Sequence, residues 1–456
     1  MRRWNNWLRP PRSYRTKRGV INLSPPQVLA LAFAGLVLIG TLLLKLPWAT
    51  RLPVGWLDAL FTATSAVTVT GLTVVDTGST YSLFGQVVLL VLMQLGGVGF
   101  MSFAVLILQA LGGRITLREQ IVLREALNHT SLSDLTRLVR IVLIIALAME
   151  GLGMLVLATH WVPELGLREG LYFSLFHAIS AFNSAGFSLR ADSMAGYAGT
   201  PVITLTLGIL FIAGGLGVAV FGDLYRSRRF HDLSLHSKLM LTWTPVMILV
   251  PWVIILLLEW NNPATLGALP QWGDRILAGW FQAATPRSAG FSTLDIGALQ
   301  PATVTMMTGL MFVGGGSAST AGGIKLTTFI ILVLATRAFL RQEEEPVIFG
   351  RSIGQETVLK ALAITLMSLM WVSLMVFLLT ISETGHDFQD LLFEAMSGFA
   401  TVGLSRGVTP ELSEFGKALM ALSMFIGRLG PLSLAFILTT RRRARVRYAQ
   451  GDVYIG

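Results

Sequence analysis

The chain has 456 residues, of which 53% are apolar and 13% charged, with no cysteine and a mean hydropathy of +0.66. A charged fraction about half that of a soluble domain excludes an ordinary globular protein and marks a membrane protein. The lack of cysteine excludes intrachain disulfides and thiolate metal sites, and the net charge of +10 is not a nucleic-acid footprint, because its bases sit in groups separated by apolar runs.

In chain order, those groups are Arg2, Arg3, Arg9, Arg12, Arg15, Lys17 and Arg18; Arg114, Arg118, Arg124, Arg137 and Arg140; Arg226, Arg228, Arg229 and Lys238; Arg337, Arg341, Arg351 and Lys360; and Arg441, Arg442, Arg443, Arg445 and Arg447. About two membrane crossings separate each from the next, a positive-inside pattern that places both termini and three loops in the cytoplasm. Apolar runs suited to a bilayer core of roughly 30 Å fall near 27–47, 83–111, 136–159, 200–221, 239–259, 302–336, 358–380 and 415–439. No cleavable signal peptide is evident, since the first run continues as a full span.

Between the members of each successive pair of runs lies a segment too short to cross: 56–68, 170–182, 275–284 and 388–399. Each reads as a half-length helix entering from outside, followed by extended backbone returning to the same side, which is tolerated only when buried in protein or lining a water-filled path. Each ends in a glycine-centred segment, around Gly71, Gly186, Gly290 and Gly403, at intervals of 115, 104 and 113 residues. A left-handed turn explains any one of these glycines but not four equivalent ones. Four copies converging on an axis, with the negative ends of half-helices pointing inward, describe a cation pore lined by backbone carbonyls.

The predicted fold is an all-α membrane protein with eight transmembrane helices in four helix–pore-helix–filter-loop–helix repeats around a central pore. The chain divides into a cytoplasmic N-terminal segment (1–24), pore repeat 1 (25–112), repeat 2 with its preceding cytoplasmic linker (113–222), repeat 3 with a broken sixth helix (223–340), repeat 4 with its linker (341–440) and a basic cytoplasmic tail (441–456).

The break in the sixth run rests on Gly314, Gly315, Gly316, Ser317, Ser319, Thr320, Gly322 and Gly323, ahead of Lys325. Each glycine costs a helix up to about 1 kcal/mol relative to alanine, so this stretch reads as a mobile intramembrane loop rather than a packing surface. At Gly96–Gly97 and Gly214–Gly215 close helix packing is the better reading. Arg428 lies deep in the last run, where a charge is expensive and needs polar partners; carbonyls freed by the broken helix would supply them. Lys325 lies nearer a cytoplasmic exit.

Asp76, Asp192 and Asp295 follow three of the glycines at five or six residues and are candidates to concentrate cations at an outer mouth; the fourth repeat has Arg406 instead. Asp387 and Asp390 suit the positive end of the fourth half-helix. Glu150, Glu259 and Glu394 have no evident role. No histidine shows metal spacing, and there is no phosphate-binding glycine–lysine motif.

The segments Phe61 to Leu72 (FTATSAVTVTGL), Ala181 to Phe187 (AFNSAGF), Ala284 to Phe291 (ATPRSAGF), Ala395 to Leu404 (AMSGFATVGL), Gly314 to Lys325 (GGGSASTAGGIK) and Phe425 to Pro431 (FIGRLGP) resemble the Trk/Ktr/HKT superfamily of potassium and sodium transporters, and most the Ktr-type membrane subunit. The resemblance covers nearly the whole chain and fits the shorter, eight-span type. It implies a multi-pass protein of the bacterial plasma membrane that conducts potassium, with sodium as a second candidate ion, and is not an enzyme. It maps the filter backbone onto Thr70, Gly71, Ala185, Gly186, Ala289, Gly290, Val402 and Gly403, with glycine at all four positions resembling the potassium-favouring pattern. It places the 314–323 loop across the pore below the filter. It also implies a membrane homodimer embedded in lipid and a ring of cytoplasmic nucleotide-binding regulatory subunits (KtrA-like), with no nucleic acid. The competing function is an alternating-access sodium/potassium carrier, in which broken spans also occur.

Overall fold

The computed structural model describes residues 25–110, 132–227, 229–316 and 319–430. The terminal basic groups, Arg114, Arg118, Arg124, Arg228 and Ser317 lie outside the described residues.

Apart from four short helical turns and a two-stranded hairpin, β1 (Val347–Ile348) with β2 (Arg351–Ser352), the described secondary structure is α-helical. In chain order the longer helices are α1 (Pro25–Leu44), α2 (Trp56–Val67), α3 (Leu83–Ala110), α4 (Leu132–Leu165), α5 (Leu167–Phe182), α6 (Pro201–Leu216), α7 (Val218–Arg226), α8 (Leu235–Glu259), α9 (Trp272–Ala284), α10 (Pro301–Phe312), α11 (Leu326–Leu340), α12 (Gln355–Ser382), α13 (Phe388–Phe399) and α14 (Glu414–Leu429). Among the described residues, α1, α4, α8 and α12 each contain a stretch long and apolar enough to cross a bilayer.

The four segments expected to be half-length are α2, α5, α9 and α13, at 12, 16, 13 and 12 residues. At 1.5 Å per residue they reach roughly 18–24 Å, short of the hydrocarbon thickness. Each carries an acid in its first turn, Asp58, Glu169, Asp274 and Asp390, where the positive end of the helix dipole favours it. Their C-terminal halves form the core: Val67, Phe176, Phe281 and Phe399 are completely buried. The long helices do the opposite, exposing Leu31, Leu147, Leu257 and Phe377 as an apolar rim suited to lipid.

Two of the expected runs are interrupted. The sixth splits into α10 and α11, as its glycines require. The fourth, read as one continuous run over 200–221, is instead broken at Gly217 (φ +85°, ψ 154°), and α6 and α7 meet at 90°. A non-glycine residue resists that φ, so this stretch is a break as well as the packing surface expected at Gly214–Gly215.

The end of the chain closes on its beginning. Helix α14 packs against α2, and Lys417 Nζ lies 2.7 Å from Asp58 Oδ1. Glu259 at the end of α8 accepts from Gln300 N (2.9 Å) and Thr303 Oγ1 (2.5 Å), fastening it to the start of α10. Glu383, just after α12, does the same for α14, accepting from Ser413 N (3.0 Å) and Ser413 Oγ (2.5 Å). The role missing for Glu259 is therefore a clamp between successive helices.

Candidate functional site

The half-helices end against four loops of the same backbone shape. The residue two before each glycine is left-handed: Val69 (φ +49°), Ser184 (+58°), Ser288 (+65°) and Thr401 (+48°). The glycines follow at φ +91°, +70°, +76° and +89° for Gly71, Gly186, Gly290 and Gly403. Left-handed backbone is strained for a β-branched residue, and sequence reasoning missed this position because Val and Thr do not advertise it.

Amides of each loop turn back to their own half-helix. Thr70 N, Ala185 N and Val402 N donate to the carbonyls five residues earlier, Ser65, Ser180 and Ser397, at 2.7–2.9 Å, and Ala289 N to Thr285 O at 3.0 Å. Hydroxyls complete the hold in two ways. Ser65 Oγ and Ser397 Oγ accept the amides of Gly71 and Gly403 at 3.0 and 3.1 Å. Ser180 Oγ and Thr285 Oγ1 instead donate to Phe187 O and Phe291 O, at 2.8 and 2.5 Å.

The four loops form a closed ring. A methyl group added at Gly186 would lie 3.0 Å from Ala289 O and 2.7 Å from Gly290 Cα, and one at Gly290 would lie 2.7 Å from Val402 O. One at Gly403 would strike Thr70 O, and one at Gly71 would strike Ala185 O. Each glycine thus faces the carbonyl preceding the next repeat's glycine, and the fourth returns to the first. All eight sequence-predicted filter residues, Thr70, Gly71, Ala185, Gly186, Ala289, Gly290, Val402 and Gly403, meet in this ring, and no side chain fits between its members. Above it opens a cavity of about 340 Å³ lined by all four glycines.

That cavity corrects the expectation of an acidic mouth. Its lining includes Asp76 but neither Asp192 nor Asp295. Asp76 caps a short helix through Ser79 N (2.8 Å), Asp192 pairs with Arg190 (3.0 Å), and Asp295 accepts from Gly297 N (2.9 Å). The hydrogen-bonded Asp192 carboxylate holds the Arg190 guanidinium above its usual pKa. These acids build loops locally. In the fourth repeat Arg406 pairs with Asp390, while Glu394 accepts from Ser405 Oγ, Arg406 N (3.1 Å) and Thr409 Oγ1 (2.7 Å). His177 holds Ser188 Oγ at 3.2 Å in the second repeat. Glu394 and His177 each stand nine residues before their glycine and hold a hydroxyl two residues after it, a correspondence visible only once the loops are superposed in register.

Beneath the ring, the chain between α10 and α11 folds back on itself through Gly314 N to Ile324 O (2.9 Å) and Leu326 N to Gly315 O (2.9 Å). Its tip crosses to α6, where Gly316 N donates to Gly215 O (2.8 Å) and Thr320 N to Gly214 O (3.4 Å). Thr320 Oγ1 lies 3.0 Å from Ser184 Oγ of the second loop, and Gly322 leaves no space for a Cβ beside Thr401. Two cations, the buried Arg428 and the half-buried Lys325, hold consecutive carbonyls: Arg428 donates to Thr320 O and, at 2.7 Å, to Gly96 O, and Lys325 donates to Ala321 O at 2.6 Å. Gly314, Gly315, Gly316, Thr320, Gly322, Gly323, Lys325 and Arg428 therefore come together here; Ser319 turns inward to Ala321 N (3.2 Å).

The paired glycines have a packing reason. A Cβ at Gly96, Gly214 or Gly427 would strike the carbonyl ending a half-helix, Val67, Phe182 or Phe399. Gly214 and Gly215 serve a second purpose as acceptors for the crossing loop.

The TrkH cation transport protein family matches residues 27–442 of the chain. The chain belongs to that family. It is 47% identical over 436 residues to the Ktr system potassium uptake protein B of Bacillus subtilis, covering 96% of this chain and 98% of the relative. The Vibrio alginolyticus protein of the same description is 43% identical over 442 residues, covering 96% and 97%. The potassium/sodium uptake protein NtpJ of Enterococcus hirae is 34% identical over 448 residues, covering 96% and 99%. The crystal structure of the potassium transporter TrkH from Vibrio parahaemolyticus shares the fold, with a TM-score of 0.71 at 19% identity over 92% of this chain and 86% of that one. The protein is thus an all-α, multi-pass membrane protein of a transport family, with no catalytic role in that family.

Proposed function

We propose that this family member is the potassium-conducting subunit of an uptake system, built as eight spans in four repeats around the glycine ring. The closed contact of each glycine with the carbonyl preceding the next carries this reading. It brings Thr70, Ala185, Ala289 and Val402 carbonyls to one axis, where carbonyl oxygens replace an ion's hydration shell. The relatives, potassium uptake proteins by name, favour potassium as the ion, and the potassium/sodium uptake protein of Enterococcus adds sodium as a second one.

The strap from Gly314 to Gly323 is the gate: it lies under the filter, is held by Arg428 and Lys325, and contains the residues that cost a helix most. The relatives described as part of a Ktr system favour a cytoplasmic nucleotide-binding regulatory partner, with the chain itself a homodimer in lipid and both termini cytoplasmic, as the basic groups require.

The deciding experiment is ion-competition flux in liposomes containing purified Gly71→Ser protein. The potassium-over-sodium preference falls by about tenfold or more, equivalent to about 1.4 kcal/mol. An unchanged ratio in folded protein removes these glycines from the filter.

A further inference from the structure

Two buried polar side chains, Glu150 and Asn183, and the half-buried Gln94 meet at a point the conduction pathway leaves unused. Glu150, in α4, is 4% exposed, and each carboxylate oxygen takes an amide N–H: Oε1 from Asn183 Nδ2 and Oε2 from Gln94 Nε2, both at 3.1 Å. Asn183 Nδ2 also donates to Gln94 Oε1 at 2.8 Å, and its Oδ1 accepts Val98 N at 3.1 Å. A carboxylate inside a span is costly unless its lone pairs are filled, and here both oxygens are. Asn183 caps the end of α5 and immediately precedes Ser184, the left-handed residue of the second filter loop.

The stretch of α3 held by Glu150 and Asn183, from Gln94 to Val98, is also held by Arg428 through Gly96 O. Arg428 reaches on to Thr320 O, and Thr320 Oγ1 meets Ser184 Oγ, which brings the path back to Asn183 along the chain. The circuit is closed: Asn183, α3, Arg428, Thr320, Ser184. It joins the second filter loop to the strap twice, once directly and once through two spans. The first and fourth loops are held differently, by serine hydroxyls on the amides of Gly71 and Gly403.

We propose that this circuit couples the strap to the second filter strand, and that Glu150 is its positioning residue. Movement of the strap then changes ion preference at Gly186 as well as passage below it. The inference rests on the filter-and-gate reading above. Its chemistry is specific: a carboxylate at position 150 accepts twice, whereas an amide there sets an NH₂ group against that of Gln94 or Asn183 and loses at least one bond.

The test uses the full chain, purified and reconstituted in liposomes, with potassium and sodium fluxes read separately. Glu150→Gln and Asn183→Asp each lower the potassium-over-sodium preference by about tenfold, the scale of one lost charge-assisted bond. Thr320→Val lowers the preference in the parent and adds little in the Glu150→Gln background, because both act through one circuit.

Parental preference in the two single variants, or a loss from Thr320→Val that adds in full to that of Glu150→Gln, overturns the proposal. If the variants at 150 and 183 do not reconstitute, a lowered preference in Thr320→Val carries the same conclusion, and parental preference there overturns it. Gly71→Ser run alongside separates the levels: unchanged preference there removes the filter reading itself, whereas a shift there with normal Glu150→Gln removes only the coupling.

Discussion

The four glycine loops and the single strap beneath them are all irregular backbone, but they are held in opposite ways. Each loop is tied to its own half-helix by backbone bonds spanning four or five residues, so its shape is a local property repeated four times. The strap is local only at its two ends. Its tip depends on α6, α14 and the second loop, through Gly214, Gly215, Arg428 and Ser184. A locally determined element is rigid; one held by distant partners moves when they move.

The largest expected effect breaks the local element. Gly290→Ala places a Cβ 2.7 Å from Val402 O at a φ of +76°, which strains both the residue and its neighbour. Potassium preference is abolished, or the variant loses thermal stability by several degrees, as fluxes and unfolding of purified protein will show. Next, Arg428→Ala removes the charge from the strap's Thr320 carbonyl. Basal flux rises severalfold and preference falls in part, because one of the two connections between strap and second loop is lost, and Arg428→Lys rescues in part because one ammonium cannot reproduce the two-carbonyl fork. Parental flux and gating in the Ala variant would reduce that arginine to a structural role. Shortening the 314–323 stretch gives a similar rise that no longer responds to a regulatory partner; normal regulation in a folded deletion sinks the gating role.

A smaller effect sharpens the contrast. Val69→Gly relieves a left-handed valine but removes a completely buried side chain from the first repeat's core, so stability falls by about 1–2 kcal/mol, the strain relieved offsetting part of the lost packing, without affecting gating. A loss as large as that of a buried valine in ordinary backbone would show that the left-handed turn carries no strain. The smallest effect concerns pH. Burial works against the Glu383 carboxylate, but the Ser413 hydroxyl and amide and the Ser382 hydroxyl outweigh it, holding its pKa below the usual value. A depressed carboxylate contributes stability above its unfolded pKa and loses it as pH falls through the folded one. Acid unfolding of Glu383→Gln is therefore shallower than that of the parent in this range, and identical curves would assign the clamp no ionic contribution.

The same contrast explains what was legible in the sequence. Half-helix positions followed from length and periodicity, to within three residues at each start, and the glycines marked the loops because steric demand at positive φ selects them. The break after Phe312 was readable from clustered glycines. The break at Gly217 was not, since a lone glycine beside a glycine pair looks like packing. Nor were the contacts of Glu150, Glu259, Glu394 and His177 readable, because each joins residues whose proximity depends on tertiary arrangement. Asp192 and Asp295 misled for the converse reason: spacing placed them near the mouth, but local partners had already engaged them.

The bond between Lys417 and Asp58 spans 359 residues of chain. At a synthesis rate of about 5–20 residues per second, the first half-helix spends roughly 20–70 s in the membrane before the helix that completes its surroundings has been made. Throughout that interval the acid at its start and the carbonyls at its end have no native neighbour from the last repeat. A nascent chain of this design therefore needs an escort, lipid headgroup or water for its first repeat. A product truncated before α13 holds three loops and an open side, an arrangement from which ions have no defined path.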